Sequence, residues 1–213
     1  VTCGSTGAFF AACFALLEPG DEVIIFEPYY GYHVNTLLAI NAVPVYVTLE
    51  PPQWQFRMDE LERRLTAKTR AIVINTPSNP CGKVFTEEEL EALAHLVRRH
   101  RLIVFTDEIY EYFLYDGRTH VSPASLASLA DRTVTISGYS KTFSITGWRI
   151  GHAIARQDWS RVIGCVNDLF YACSPAPLQA GVAKGIKELS PEYYVSVCRE
   201  YQNKRDRICA VLE

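Results

Sequence analysis

A doubly wound α/β fold, three layers deep with helices on both faces of a mostly parallel sheet, is the class this sequence predicts. Three observations lead there. Short apolar runs of strand length alternate with longer segments of helical length. The residues able to carry chemistry sit just past the strand-like runs, where open parallel sheets place their ligand crevice. No internal repeat or low-complexity linker divides the 213 residues, so they read as one domain with a substantial core.

The elements follow in order. Gly4-Ser5-Thr6-Gly7 precedes an apolar run from Ala8 to Leu17, which Pro19-Gly20-Asp21 stops. Ser5 or Thr6 is placed to cap that helix, and free N–H groups at such a start suit a phosphate; a plain N-cap is the alternative. Val23-Ile24-Ile25-Phe26 reads as a buried parallel strand, followed by Glu27-Pro28-Tyr29-Tyr30-Gly31-Tyr32. An aromatic ring there can lie flat on a heteroaromatic ring, although core or rim burial is the commoner fate of a tyrosine, and Tyr29 and Tyr32 are assigned to it. A helix over roughly Tyr30 to Ile40, a strand from Val43 to Val47, a loop at Glu50-Pro51-Pro52-Gln53 and a short helix from Met58 to Leu65 come next.

Ala71-Ile72-Val73-Ile74 is another buried strand, ending in Asn75-Thr76-Pro77-Ser78-Asn79-Pro80-Cys81-Gly82. Prolines flanking Ser78-Asn79 predict a stiff, extended loop that aims the Asn79 amide; an Asx-turn serving its own backbone fits Asn75 better. Thr86-Glu87-Glu88-Glu89 has the form of a capping box, opening a helix to about Arg99 that carries His95 and His100 on its exposed side. Leu102-Ile103-Val104-Phe105 is the next strand, closed by Thr106-Asp107-Glu108-Ile109-Tyr110. A carboxylate at a buried strand end is costly unless a cationic group meets it. Asp107 therefore either meets such a group or caps the next helix, with Glu108 on the surface. Tyr110 shares a face with Asp107 if a helical turn starts there. Residues 111–131 read as a turn at Tyr115-Asp116-Gly117 and a short helix, with His120 unassigned. Thr133 to Ile136 and His152 to Ala155 are strands, Asp158 to Leu169 is a helix, and a long helix starts at Pro191.

Composition excludes several classes. Apolar residues make up 48% and charged residues 21%, ordinary for a globular chain, and the net charge of −3 offers no basic field for nucleic acid. No run has the length of a membrane span and no signal peptide is visible. The seven cysteines are irregularly spaced, with no CxxC pair for a metal. They read as reduced thiols in a cytoplasmic protein. Both ends read as cut, since Val1-Thr2-Cys3-Gly4 opens inside a motif and Val211-Leu212-Glu213 closes inside a helical pattern.

The stretch Ser137-Gly138-Tyr139-Ser140-Lys141-Thr142-Phe143-Ser144-Ile145-Thr146-Gly147-Trp148-Arg149-Ile150-Gly151 organises the rest. Lys141 stands just past a strand among small residues, where its amine can turn into a cleft as nucleophile or base. Arg149 offers a planar fork suited to a phosphate. This run resembles the pyridoxal-phosphate attachment site of the class I/II aminotransferases, from Gly138 to Gly151. Asn75-Thr76-Pro77-Ser78-Asn79-Pro80-Cys81-Gly82 and Asp107-Glu108-Ile109-Tyr110 fit the same family.

The resemblance covers residues 1–213 as the cofactor-binding large domain of a fold-type I enzyme, truncated at both ends. It implies pyridoxal 5'-phosphate as cofactor, held by Lys141 as a Schiff base. Gly4, Ser5, Thr6 and Arg149 are implied around the phosphate, Ser140 among the cofactor contacts, and Tyr30 stacks on the ring. Asn79 and Tyr110 are implied at the phenolic oxygen, and Asp107 at the ring nitrogen. The freed Lys141 amine moves the α-proton, giving ping-pong transfer from an L-amino acid to a 2-oxo acid. A homodimer is implied too, with Tyr171-Ala172-Cys173-Ser174-Pro175-Ala176-Pro177-Leu178-Gln179 resembling the segment that crosses toward the partner. The arginine for the substrate carboxylate and the cross-subunit tyrosine are not assignable in this chain. Pro77 to Pro80, Tyr30 and Asp107 to Tyr110 lean toward the aspartate, aromatic or kynurenine-like branch. A carbon–sulfur β-lyase using the same lysine, and a non-catalytic fragment that binds cofactor or dimerises, stand as alternatives. Release of pyruvate and sulfide from cystathionine, against keto-acid-dependent amino transfer, separates the first from a transaminase.

Overall fold

The computed structural model describes residues 1–212. Among these, seven strands form one sheet: β1 (Thr2–Cys3), β2 (Glu22–Glu27), β3 (Val43–Thr48), β4 (Thr69–Asn75), β5 (Ile103–Asp107), β6 (Thr133–Gly138) and β7 (Ile150–Ile154). Their order is β1-β7-β6-β5-β4-β2-β3. Strands β2 to β6 run parallel, while β7 is antiparallel to both β6 and β1. Helices α1 (Gly4–Leu16), α2 (Gly31–Ala39), α3 (Met58–Arg64), α4 (Glu87–His100) and α5 (Gln157–Tyr171) cover the sheet. Helices α6 (Ala176–Glu188) and α7 (Pro191–Leu212) follow. This is the doubly wound, mostly parallel architecture that the alternation of runs predicts.

Strand alternation sorts the apolar residues into two cores. Val23, Ile25, Ala71, Val73, Ile103 and Phe105 pack with α1 on one face. Ile24, Phe26, Ile72, Ile74 and Val104 pack with Leu90, Leu93 and Val97 of α4 on the other. Both faces are covered, which is why these strands read as unbroken apolar runs rather than alternating ones. Each fully buried Ile, Leu or Phe contributes about 1.5–3 kcal/mol from lost water contact. Ala8, Ala11 and Ala12 are wholly buried, and their small side chains let α1 lie close to the sheet.

Several local expectations are corrected. Helix α1 begins at Gly4, not near Ala8, and Cys3 occupies the cap position without a side-chain cap, so neither Ser5 nor Thr6 caps it. The cause is tertiary: the Gly4 N–H donates to the Arg149 carbonyl at 3.0 Å, and a φ of +69° lets the chain turn straight from β1 into the helix. The loop after β4 is a tight turn rather than an extended segment. The Asn75 side chain accepts the Asn79 N–H at 2.7 Å, and Ser78 N–H donates to Lys83 O at 2.8 Å. Glu108 is buried, not on the surface. No helix follows β5 directly; residues 109–112 form turns. Helix α4 forms as expected, with both hydrogen bonds of the Thr86–Glu89 capping box in place. No helix among the described residues is long and apolar enough to cross a membrane.

Candidate active site

Strand β2 leads outward to β3 at one edge, while β4 leads through β5 and β6 toward the other. A cavity of about 380 Å³ opens at the carboxyl ends of these strands, where the winding reverses. Its lining gathers residues far apart in the chain: Ser5 and Thr6 from α1, Tyr30 before α2, Asn79 after β4, Asp107 and Tyr110 at β5, and Ser140, Lys141 and Arg149 around the turn between β6 and β7. Nine of the ten site residues expected from the sequence thus share one cavity. Gly4 does not line it. Its N–H is committed to Arg149 O, and a Cβ there would collide with the Arg149 guanidinium. Gly4 is the seat of Arg149 rather than a contact in its own right.

One end of the cavity is built for an anion. Ser5 and Thr6 fall in the first turn of α1, where amide N–H groups lack intrahelical partners and the helix dipole is positive. Arg149 faces them, oriented by donation from its Nη1 to Thr146 O at 3.0 Å. Its backbone is left-handed at φ +55°, a conformation a non-glycine residue holds only when its surroundings impose it. Gly151 makes the close approach of the α1 start to β7 possible, since a Cβ there would come within 2.5 Å of Ser5 N.

The other end carries the carboxylate. Asp107 is 6% exposed at the last position of β5. One oxygen accepts the Ile109 N–H at 3.2 Å, and the other lies 2.9 Å from Nε2 of His33. A carboxylate has about four acceptor positions, so these two bonds leave capacity for a third donor. His33 is 3% exposed, with Phe9 and Tyr30 rings at 4.6 and 5.4 Å. Sequence reading missed His33. Its one signal was its place three residues after Tyr30 on the same helix start, hence on the same face.

Between the two ends lie the polar and aromatic walls. Burial, aided by Asp107, raises the pKa of the Tyr110 phenol, while the neighbouring Asn79 side chain lowers it. Asn75 serves the scaffold, its Nδ2 donating to Asp107 O at 3.0 Å. The Tyr30 phenol is pushed up by burial first, then by Tyr32 and Asp107, and pulled down by Arg149. One ring therefore feels both charged ends. Tyr32, expected only at a core or rim position, lines the cavity and stacks on Tyr30 at 5.2 Å. His120 takes no part in the lining. It pairs with Glu108 at 2.7 Å, and Ser122 donates to the same carboxylate at 2.9 Å.

A site with an anion cradle, a buried carboxylate, a lysine and an aromatic ring in one cavity wall fits a phosphorylated heterocycle bearing a ring N–H. Comparison with known proteins agrees. The family model described as aminotransferase class I and II matches residues 1–213. Kynurenine–oxoglutarate transaminase 3 of Rattus norvegicus is 39% identical over all of this chain and 50% of its own length. Kynurenine–oxoglutarate transaminase 1 of Homo sapiens is 36% identical, over all of this chain and 54% of its own. Among solved structures, N-succinyldiaminopimelate aminotransferase from Mycobacterium tuberculosis superposes with a TM-score of 0.93 at 34% identity, covering 98% of this chain and 55% of that one. A double mutant of Thermus thermophilus aspartate aminotransferase gives 0.91 at 33%, covering 96% and 54%. The chain spans about half the length of the curated relatives it matches. The chain belongs to the class I and II aminotransferase family.

Proposed function

We propose that this chain forms the cofactor-holding half of a pyridoxal-phosphate-dependent aminotransferase that moves an amino group from an L-amino acid to a 2-oxo acid. The observation that carries it is the meeting of Asp107, at the end of β5, with Lys141 and Arg149, from the turn between β6 and β7, in one cavity. When bound, pyridoxal 5'-phosphate supplies an aldehyde that an amine can capture and a ring that accepts electrons. Arg149, the Ser5 and Thr6 amides and the Ser140 side chain would hold the phosphate, combining charge with directed N–H groups. Tyr30, in the cavity wall, would stack on the ring. Tyr110 and Asn79 hold the phenolic oxygen. Asp107, itself fixed by His33 and the Ile109 amide, would accept the ring N–H and keep that proton in place. The Lys141 Nζ acts first as the nucleophile that anchors the cofactor. With the cofactor bound, the free Lys141 amine would take up and return the proton of the substrate α-carbon.

Two copies pair in this reading. Support comes from an outer aromatic cluster, Phe10, Phe14 and Phe170, with ring centroids 5.2 to 5.7 Å apart. Beside it Leu169 is 77% exposed, too apolar a surface to leave in water. The kynurenine transaminase relatives favour an aromatic or kynurenine-like amino acid as the donor, and the protein is assigned to the cytoplasm on its cysteine usage. Borohydride reduction of purified protein saturated with pyridoxal 5'-phosphate, followed by peptide mass mapping, tests the central claim. A pyridoxyl adduct on Lys141 alone is expected, and an unmodified Lys141 would sink the proposal.

A further inference from the structure

The turn that carries Lys141 has little regular structure of its own. Between β6 and β7 it holds one short 3-10 turn, Thr146–Trp148, and two non-glycine residues in the left-handed region, Ser144 and Arg149. Such a segment keeps one shape only if outside contacts impose it. Helices α6 and α7 supply them. Gly181 and Gly185 stand one turn apart on α6 and form a notch. A Cβ at Gly181 would come within 2.9 Å of the Trp148 ring, and one at Gly185 within 3.5 Å of Phe143. Helix α7 adds Tyr193, whose ring lies 5.9 Å from that of Phe143. The Tyr193 hydroxyl donates to the carbonyl of Thr142 at 2.9 Å. Thr142 is 2% exposed and is the residue bonded to Lys141. No residue of α7 is buried, so this hydroxyl is spent on the turn and not on a core.

We propose that Tyr193 is a positioning residue for Lys141. By pinning the Thr142 carbonyl it fixes the Thr142–Phe143 peptide plane, one residue past the lysine, and through Thr142 restrains the Lys141 backbone and so the direction in which Nζ meets the cofactor aldehyde. The proposal rests on the reading of Lys141 as the anchoring amine.

The test uses the full-length protein stripped of cofactor. Tyr193→Phe keeps the ring against Phe143 and removes only the hydroxyl. Covalent attachment of added pyridoxal 5'-phosphate to Lys141, with release of water, is timed by absorbance and by borohydride trapping. Pyridoxamine 5'-phosphate, which has no aldehyde, is titrated in parallel to measure fit without the covalent bond. Attachment is expected to slow about fivefold, the worth of one neutral hydrogen bond, while pyridoxamine phosphate affinity and melting temperature stay at wild-type values. Attachment at the wild-type rate overturns the proposal. So does a matching loss in attachment, affinity and melting temperature, which marks a merely structural contact. A wild-type protein that binds pyridoxamine phosphate yet never attaches pyridoxal phosphate at Lys141 removes the proposed function and this inference with it.

Discussion

Asp107 divides its two oxygens between a histidine and a backbone amide, and both bonds serve to hold the carboxylate still. A buried carboxylate that lost His33 would keep its desolvation cost and lose a partner, so His33 belongs to the site as firmly as the acid does. Replacing Asp107 with Asn keeps the shape and the His33 neighbour but removes the charge to which the proposed function assigns retention of the ring proton. Cofactor binding should survive in Asp107→Asn. Exchange of the substrate α-proton for deuterium, followed by NMR, should fall about 100-fold or more. Unchanged exchange would show that Asp107 does not keep the ring protonated. Neighbouring Glu108 illustrates how one residue's step along a strand changes its fate. Asp107 continues the face of Ile103 and Phe105 and reaches the cavity, whereas Glu108 continues the face of Val104 and meets His120 and Ser122. The adjacent acids were legible as a pair, but which way each faced depended on the strand register.

The start of α1 and the start of β7 are one device. Gly4 N–H bonds Arg149 O, the Arg149 guanidinium occupies the space a Gly4 side chain would need, and Gly151 lets the two backbones touch. An added methyl in Gly4→Ala would both push the guanidinium aside and strain a φ of +69°. The affinity for pyridoxal 5'-phosphate, measured by fluorescence titration, should drop about tenfold, as for loss of a charge-assisted hydrogen bond. Wild-type affinity in Gly4→Ala would mean that Arg149 needs no such seat. Helix α1 was legible from its apolar run, and its first four residues were not. Their helical state is set by Arg149, distant in sequence, and no local propensity reports that contact. The same holds for α6, whose Gly181 and Gly185 weaken a helix taken alone but seat Trp148 and Phe143.

Across the whole molecule, the two cores lie on opposite faces of one sheet, and the site sits at its carboxyl edge. The aromatic cluster on α1 and α5 borders the first core through Phe10 and leaves Phe14 and Phe170 exposed. If that face joins two copies, Phe170→Asp should place a charge in the contact and convert a dimer to a monomer in sedimentation velocity, with the melting profile of the monomeric fold retained. A variant that sediments like the wild type would place the interface elsewhere.

What the sequence by itself determined was the alternation of buried strands and helices, and the residue types at each strand end: the lysine, the aspartate, the asparagine and the arginine. Those follow from periodicity and from chemistry that few other residues can perform. Tertiary structure alone decided that Gly4 seats an arginine, that His33 holds Asp107, and that Glu108 turns away to His120. It also decided that Tyr193 grips the turn of Lys141. Three of these are contacts between chain segments far apart in sequence, set by sheet order and register; the fourth, Glu108 with His120, is nearer in the chain but joins a strand end to an irregular segment that no periodicity reports.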